Sequence, residues 1–189
     1  MDAISLKWDT VNDQRPVMLF FQDEGRFGRI NNVSKCWVPR GQRAVVGKQI
    51  IREYIYAYSS VCPQTGETFS LVLPWSDTVC MNEFLKLFSE QYNCYRIILT
   101  MDKAAWHRSK ELKIPENIAP FYLPPYSPEL NPTEHLWDYI REQKQFNNHT
   151  FDSIDEVSEH LCNALAEMFD EKDTIKSMTN FSWLNSVSC

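Results

Sequence analysis

Apolar residues in this chain alternate between short continuous runs and stretches with a three-to-four-residue period. Val17 to Phe21 is a five-residue apolar run that stops at Gln22-Asp23-Glu24, the pattern of a strand buried on both faces. From Arg29 to Arg52, Gly41 and Gly47 interrupt a series of strand formers, which predicts a hairpin. Tyr54 to Tyr58 and Thr68 to Leu73 read as two more strands, joined through the turn chemistry of Pro63-Gln64-Thr65-Gly66. These segments predict an antiparallel meander. Met81, Phe84, Leu85 and Phe88 then recur at helical spacing and predict a helix over about Asp77 to Tyr92.

Arg96 to Thr100 is another buried strand, its Ile97-Ile98-Leu99 leading into Met101-Asp102, and Ile118 to Leu123 is one more, stopped by Pro124-Pro125. Four prolines between 124 and 132 make a connector that cannot be helical. A helix is expected directly after it, with Asn131 as N-cap, Pro132 at the first helical position, and Leu136, Trp137 and Ile140 on its apolar face. A last helix is expected from about Asp152 to Phe169, with Ile154, Val157, Leu161, Leu165 and Met168 as its buried stripe.

A length of 189 residues suits one α/β domain over residues 1–189 and hence one active site. With 43% hydrophobic and 23% charged residues the chain reads as globular, neither fibrous nor disordered. No apolar run reaches the length of a membrane span, and the N-terminus lacks the basic start of a signal peptide, so a cytoplasmic, nucleoid-associated location is expected. The six cysteines (Cys36, Cys62, Cys80, Cys94, Cys162, Cys189) form no zinc-binding spacing and read as buried free thiols. A formal charge of −6 argues against gripping nucleic acid with the whole surface. One basic stretch, with Lys35, Arg40, Arg43, Lys48 and Arg52, stands out against it; taken by itself it is a solvated loop or hairpin.

Candidate chemistry lies where strands end in acids. If the strands ending at Asp23 and Asp102 are parallel neighbours, both carboxylates emerge at one edge of the sheet, where open α/β sheets build their sites. Glu134, in the first turn of the helix after the prolines, can complete a set of acidic oxygen ligands of the kind that divalent cations need for phosphodiester chemistry. Taken singly, Asp23 and Asp102 are ordinary strand-end acids, and Glu134 fits the third helical position of a capping box behind Asn131.

The surrounding words carry more than the spacing. FQDEGRFG around Asp23, WVPRG from Trp37, LTMDKAAWH around Asp102 and LPPYSPELNPTEHLW from Leu123 to Trp137 occur in that order. The chain resembles the mariner superfamily of cut-and-paste DDE transposases, in its bacterial insertion-sequence branch, whose signature reads L-P-P-Y-S-P-x-L-N-P-x-E-x-x-W. The resemblance extends to the ending Phe181-Ser182-Trp183-Leu184. It implies a ribonuclease H-like fold with a mixed five-stranded sheet flanked by helices, and a site in which Asp23, Asp102 and Glu134 are both catalytic and metal-binding. It also implies two Mg²⁺ or Mn²⁺ ions, double-stranded DNA (element ends and target) as substrate, a homodimer on DNA, and no nucleotide cofactor.

The chain departs from the family pattern in two places. Lys103 stands where the family commonly has Asn after the second aspartate. The family's N-terminal helix-turn-helix region is not expected here, since only some twenty residues precede Asp23. Arg26, Lys103 and Arg108 are candidate phosphate contacts by nearness to the carboxylates, and Lys35, Arg40 and Arg43 of the basic stretch are further candidate DNA contacts. His107 matches the family word and is expected near the DNA or the metal shell. Glu24 should point to the opposite sheet face from Asp23, as a structural or supporting residue. His135, His149 and His160 are expected at surface or helix positions, and Trp37, Trp106 and Trp137 in core packing, with stacking on bases as the alternative. Two other functions remain open at this point: a stand-alone metal-dependent nuclease, and a DNA-binding or assembly protein that has lost catalysis.

Overall fold

The structure, a computed structural model, describes residues 13–31, 33–144 and 146–186. The polar lead-in up to residue 12 and Cys189 lie outside the described residues. Five strands form one mixed sheet: β1 (Val17–Ile30), β2 (Ile50–Cys62), β3 (Glu67–Leu73), β4 (Arg96–Met101) and β5 (Ile118–Tyr122), in the order β3-β2-β1-β4-β5. The first three are antiparallel neighbours, whereas β4 pairs parallel to β1, and β5 parallel to β4. Among the described residues four α-helices accompany them: α1 (Thr78–Gln91), α2 (Glu134–Gln143), α3 (Ile154–Asp170) and α4 (Lys172–Thr179).

Both faces of the sheet are covered, so its central strands carry apolar residues at successive positions. On one face Phe20, Tyr58, Ile97 and Leu99 pack under Met81, Phe84, Leu85 and Phe88 of α1. The Asp77 carboxylate caps that helix by accepting the Cys80 N–H at 2.8 Å, a bond whose loss costs about 1 kcal/mol. Phe84 is fully buried among other aromatic rings, so truncating it to Ala would cost about 3–5 kcal/mol. On the opposite face Phe21, Phe27, Ala57 and Val61 pack against Leu136, Trp137 and Ile140 of α2 and Val157, Leu161 and Met168 of α3. The Ser153 side chain caps α3 at the Glu156 N–H. The buried stripe anticipated for that helix is present, with Ile154 only partly buried at its start.

Four expectations need correction. Strand β1 does not end at Asp23: antiparallel pairing with β2, from Phe21↔Val61 to Gly28↔Tyr54, keeps it extended through a polar segment that local hydrophobicity does not mark. The stretch 31–49 contains no strand of its own among the described residues; it is the exposed connection between β1 and β2, closed by Asn31, whose side chain donates to the Gly47 carbonyl and accepts from the Gln49 N–H. Helix α2 starts at Glu134 with Thr133 as its cap, two residues later than expected; Asn131 Oδ1 still accepts the Thr133 N–H at 3.2 Å, while the Asn131 amide and the Thr133 hydroxyl donate to carbonyls of β1. Cys36, Cys94 and Cys162 are exposed free thiols; of the described cysteines, Cys62 and Cys80 are buried as expected. Helix α4 had no counterpart in the sequence reading.

Candidate active site

The register between β1 and β4 sets the site. Pairing runs from Val17↔Arg96 to Phe21↔Thr100, so two residues further Asp23 stands level with Asp102, on the same face as Phe21 and Thr100. That face carries α2. The side chains of Thr133 and Asn131 donate to the main-chain carbonyls of Phe21 (2.9 Å) and Gln22 (3.1 Å), which fastens the start of α2 to β1 just ahead of Asp23. Glu134 therefore enters from the first turn of a helix docked on the strand that carries Asp23, not as the third residue of a capping box. One turn on, Trp137 is 2% exposed, packs edge-on to Phe27 and donates its indole N–H to Asp23 Oδ2 at 2.8 Å. Gly25 makes room for that ring: a Cβ there would lie 2.7 Å from Trp137 Cδ2.

A cleft of about 500 Å³ holds Asp23, Asp102 and Glu134 together, with Lys103, Arg108, Asn131 and the proline connector on its walls. Burial pushes the Asp23 carboxyl up to about 7, with the Glu134 and Glu24 charges adding to the rise and the Trp137 bond opposing it. Glu134 is also raised, chiefly by burial. Asp102 behaves oppositely, held below the usual carboxylate range by its hydrogen bond to His107. The cleft thus concentrates carboxylate oxygens that are costly to ionise together, the donor chemistry that suits a hard divalent cation. Among the described residues no three His, Cys, Asp or Glu side chains stand as a ready-formed metal cluster; the carboxylates share a cleft whose charge a cation would relieve.

His107 is not a surface contact. Its ring is fully buried between Asp102 Oδ1 (2.8 Å from Nδ1) and Glu24 Oε1 (2.9 Å from Nε2). Burial alone would push its pKa down, but the two carboxylate hydrogen bonds prevail and raise it to about 10. Glu24 faces away from the carboxylate cleft as expected, yet reaches Asp102 through this histidine. Of the phosphate-contact candidates, Lys103 and Arg108 line the cleft. Arg26 does not; its guanidinium lies over the Tyr54 ring at 4.6 Å, because its position on β1 points to the other sheet face. Lys35, Arg40, Arg43, Lys48 and Arg52 are exposed, away from the cleft lining, and Trp37 in the same stretch is fully exposed rather than packed in the core. Trp106 packs partly buried beside the α1 cluster. His135 is exposed, while His149 and His160 stack on one another, half-buried.

Sequence reasoning missed three parts of this arrangement. Trp137 lies three positions after Glu134, on the same side of the helix, which was the available signal for its bond to the site. The strand-fastening roles of Asn131 and Thr133 have no local signature. Tyr126, fully exposed at the mouth of the cleft with φ 58°, is a non-glycine residue in the left-handed region.

A family model described as DDE superfamily endonuclease matches residues 18–158, about three quarters of the chain, and spans all three carboxylates. The chain belongs to that family. A protein of Sinorhizobium fredii (strain NBRC 101917 / NGR234), named "Uncharacterized protein y4pE/y4sA", is 35% identical over 131 residues, covering 69% of this chain and 96% of its own length. Among solved structures, a pre-cleavage Mos1 transpososome superposes with a TM-score of 0.60 at 15% identity, covering 94% of this chain and 57% of that one. A Mos1 strand transfer complex gives 0.56 at 15%, covering 95% and 59%. A Mos1 mariner paired end complex with Mn gives 0.54 at 18%, covering 85% and 53%. The described fold is the ribonuclease H-like α/β fold of those transposase chains, and this chain spans somewhat over half of their length. It is thus an enzyme family of the nuclease type. Among the described residues no helix is long and apolar enough to cross a membrane.

Proposed function

We propose that this chain is the catalytic domain of a DNA transposase of the mariner superfamily, insertion-sequence branch, in which Asp23, Asp102 and Glu134 hold two Mg²⁺ or Mn²⁺ ions. One observation carries the reading: the parallel β1–β4 register sets two aspartates level, and α2, fastened to β1 by Asn131 and Thr133, brings a glutamate to the same cleft. Divalent cations bound there would supply Lewis acidity and an activated water or 3′-hydroxyl for attack on a phosphodiester. The protein's own contribution is positional. Trp137 fixes the orientation of Asp23 by holding Oδ2, and Ala104 and His107 hold Asp102 Oδ1. Lys103 and Arg108 offer cationic contacts to backbone phosphates entering the cleft, so Lys103 in place of the family's amide adds a phosphate contact. The exposed Tyr126 ring at the mouth is placed to stack on a base. The DNA would be double-stranded, with two copies of the protein holding two ends in the cytoplasm at the nucleoid, and the exposed basic 31–49 connection touching DNA outside the cleft.

The test is cleavage of DNA by the purified chain with Mn²⁺ and with Mg²⁺, followed by joining of the freed 3′ ends to a second duplex, in parallel with Asp102→Ala and Glu134→Ala. Cleavage and joining that disappear in both variants support the transposase reading. Cleavage without joining would make the protein a nuclease. A folded chain that cuts nothing with either ion overturns the catalytic reading.

A further inference from the structure

Asp102 does not offer its two oxygens equally. Oδ1 accepts from the Ala104 N–H at 2.9 Å and from His107 Nδ1 at 2.8 Å, whereas Oδ2 has no donor among the described residues. Nδ1 also lies 3.2 Å from the Asp102 main-chain carbonyl. Behind the ring, Nε2 meets Glu24 Oε1 at 2.9 Å, and that oxygen accepts a second bond from Gln22 Nε2 at 2.9 Å. The ring therefore bridges the two carboxyl groups, using both of its nitrogens. The Tyr122 hydroxyl fixes the His107 backbone by donating to its carbonyl at 2.8 Å. Both side chains of the pair are almost fully removed from solvent, while the Asp102 side chain is 57% exposed.

From this geometry we infer that Glu24 and His107 form a buried hydrogen-bonded strut that holds one oxygen of Asp102 and leaves Oδ2 free for the cation. The inference rests on the metal-site reading of Asp102 given above. It assigns positioning roles to Glu24, which otherwise sits on the wrong face of β1 to act, and to His107, which is too buried to touch DNA. A carboxylate on an exposed strand end rotates freely; holding one oxygen from behind removes that freedom before the ion arrives. Partners of metal ligands of this kind typically change metal affinity by about 10–100-fold when removed.

The test is Mn²⁺ binding to the full chain by titration calorimetry, with a melting curve for each variant. His107→Ala should weaken Mn²⁺ binding by about 10–100-fold. Glu24→Gln, which keeps shape and fold, should weaken it less but in the same direction. His107→Asn, whose amide can occupy the Nδ1 position, should recover part of the loss. Tyr122→Phe loosens the same short 3₁₀ segment, Trp106–Arg108, without touching the ring, and should leave Mn²⁺ affinity within about twofold. Parent-like affinity in both His107→Ala and Glu24→Gln, together with loss of binding in Asp102→Ala, overturns the strut while the metal site stands. An equal loss in Tyr122→Phe also overturns it, since local order alone would then set affinity. Should Asp102→Ala bind Mn²⁺ as the parent does, or the parent bind none, the carboxylate site itself falls and the strut with it.

Discussion

Replacing Gly25 by alanine adds one methyl group and should disable the site through a residue that never touches substrate. A Cβ at this position would lie 2.7 Å from Trp137 Cδ2, 2.8 Å from Cε3 and 2.9 Å from Phe27 Cε2. Restoring an ordinary contact of at least 3.4 Å requires the indole to retreat by about 0.7 Å, the difference between 3.4 and 2.7. It has nowhere easy to go, because the ring is buried and packed against Phe27. Overpacking of this kind costs about 1–3 kcal/mol, readable as a lower urea midpoint with unchanged slope. Retreat also pulls the indole N–H away from Asp23 Oδ2, now 2.8 Å distant. A misplacement approaching 1 Å in a catalytic group can cost about 100-fold in rate, so DNA cleavage should fall much further than stability does. Gly28→Ala is the control, since a Cβ there would collide with the Glu53 carbonyl and with Tyr54 Cδ1 at 2.6 Å, far from Asp23. It should destabilise without a matching loss of rate in the fraction that stays folded. Gly25→Ala retaining full cleavage while losing stability like Gly28→Ala would refute the link from Gly25 through Trp137 to Asp23.

Trp137→Phe keeps most of the packing but removes the bond that favours ionised Asp23, so the Asp23 carboxyl should rise further above about 7; NMR titration of the metal-free protein would show it, and an unchanged titration would exclude the bond. Because the Asp23 pKa is raised on folding, its contribution to stability is full below the unfolded value near 3.8 and is lost as pH rises through about 7. A cation relieves that loss, so the melting-temperature gain on adding Mn²⁺ should be larger at pH 8 than at pH 5; equal gains at both would argue against binding at Asp23. The His107 contribution has the same sign, full below 6.5 and lost only as pH rises through about 10. Lys103→Ala and Arg108→Ala should each lower the salt dependence of DNA binding by about one unit of log–log slope, whereas Arg26→Ala should leave it unchanged.

The parts of this molecule that the sequence made legible are those in which chemistry and local pattern coincide. The run from Val17 to Phe21 and the run Ile97-Ile98-Leu99 both end near an acid, and their parallel pairing was a conjecture that the register bears out. The spacing of Met81, Phe84, Leu85 and Phe88 marked α1 to within a residue or two of its ends. Misreadings came where a non-local partner decides conformation. β1 continues past Asp23 because β2 pairs with it, not because Glu24-Gly25-Arg26 are strand formers. Asn131 serves the helix start through Oδ1, which accepts the Thr133 N–H at 3.2 Å, but its amide also donates to a strand carbonyl more than a hundred residues away in sequence, which no local pattern shows. Glu24 falls on the far face as strand alternation predicts, but no pattern in the chain shows that His107 bridges that face to Asp102. The carboxylates themselves are carried by short words of sequence, but what orients them is a set of long-range bonds from Trp137, Thr133 and Asn131, together with a local bond from His107 that is itself held by distant Glu24. Transplanting the three acids onto another sheet without that set would therefore reproduce the motif and not the site.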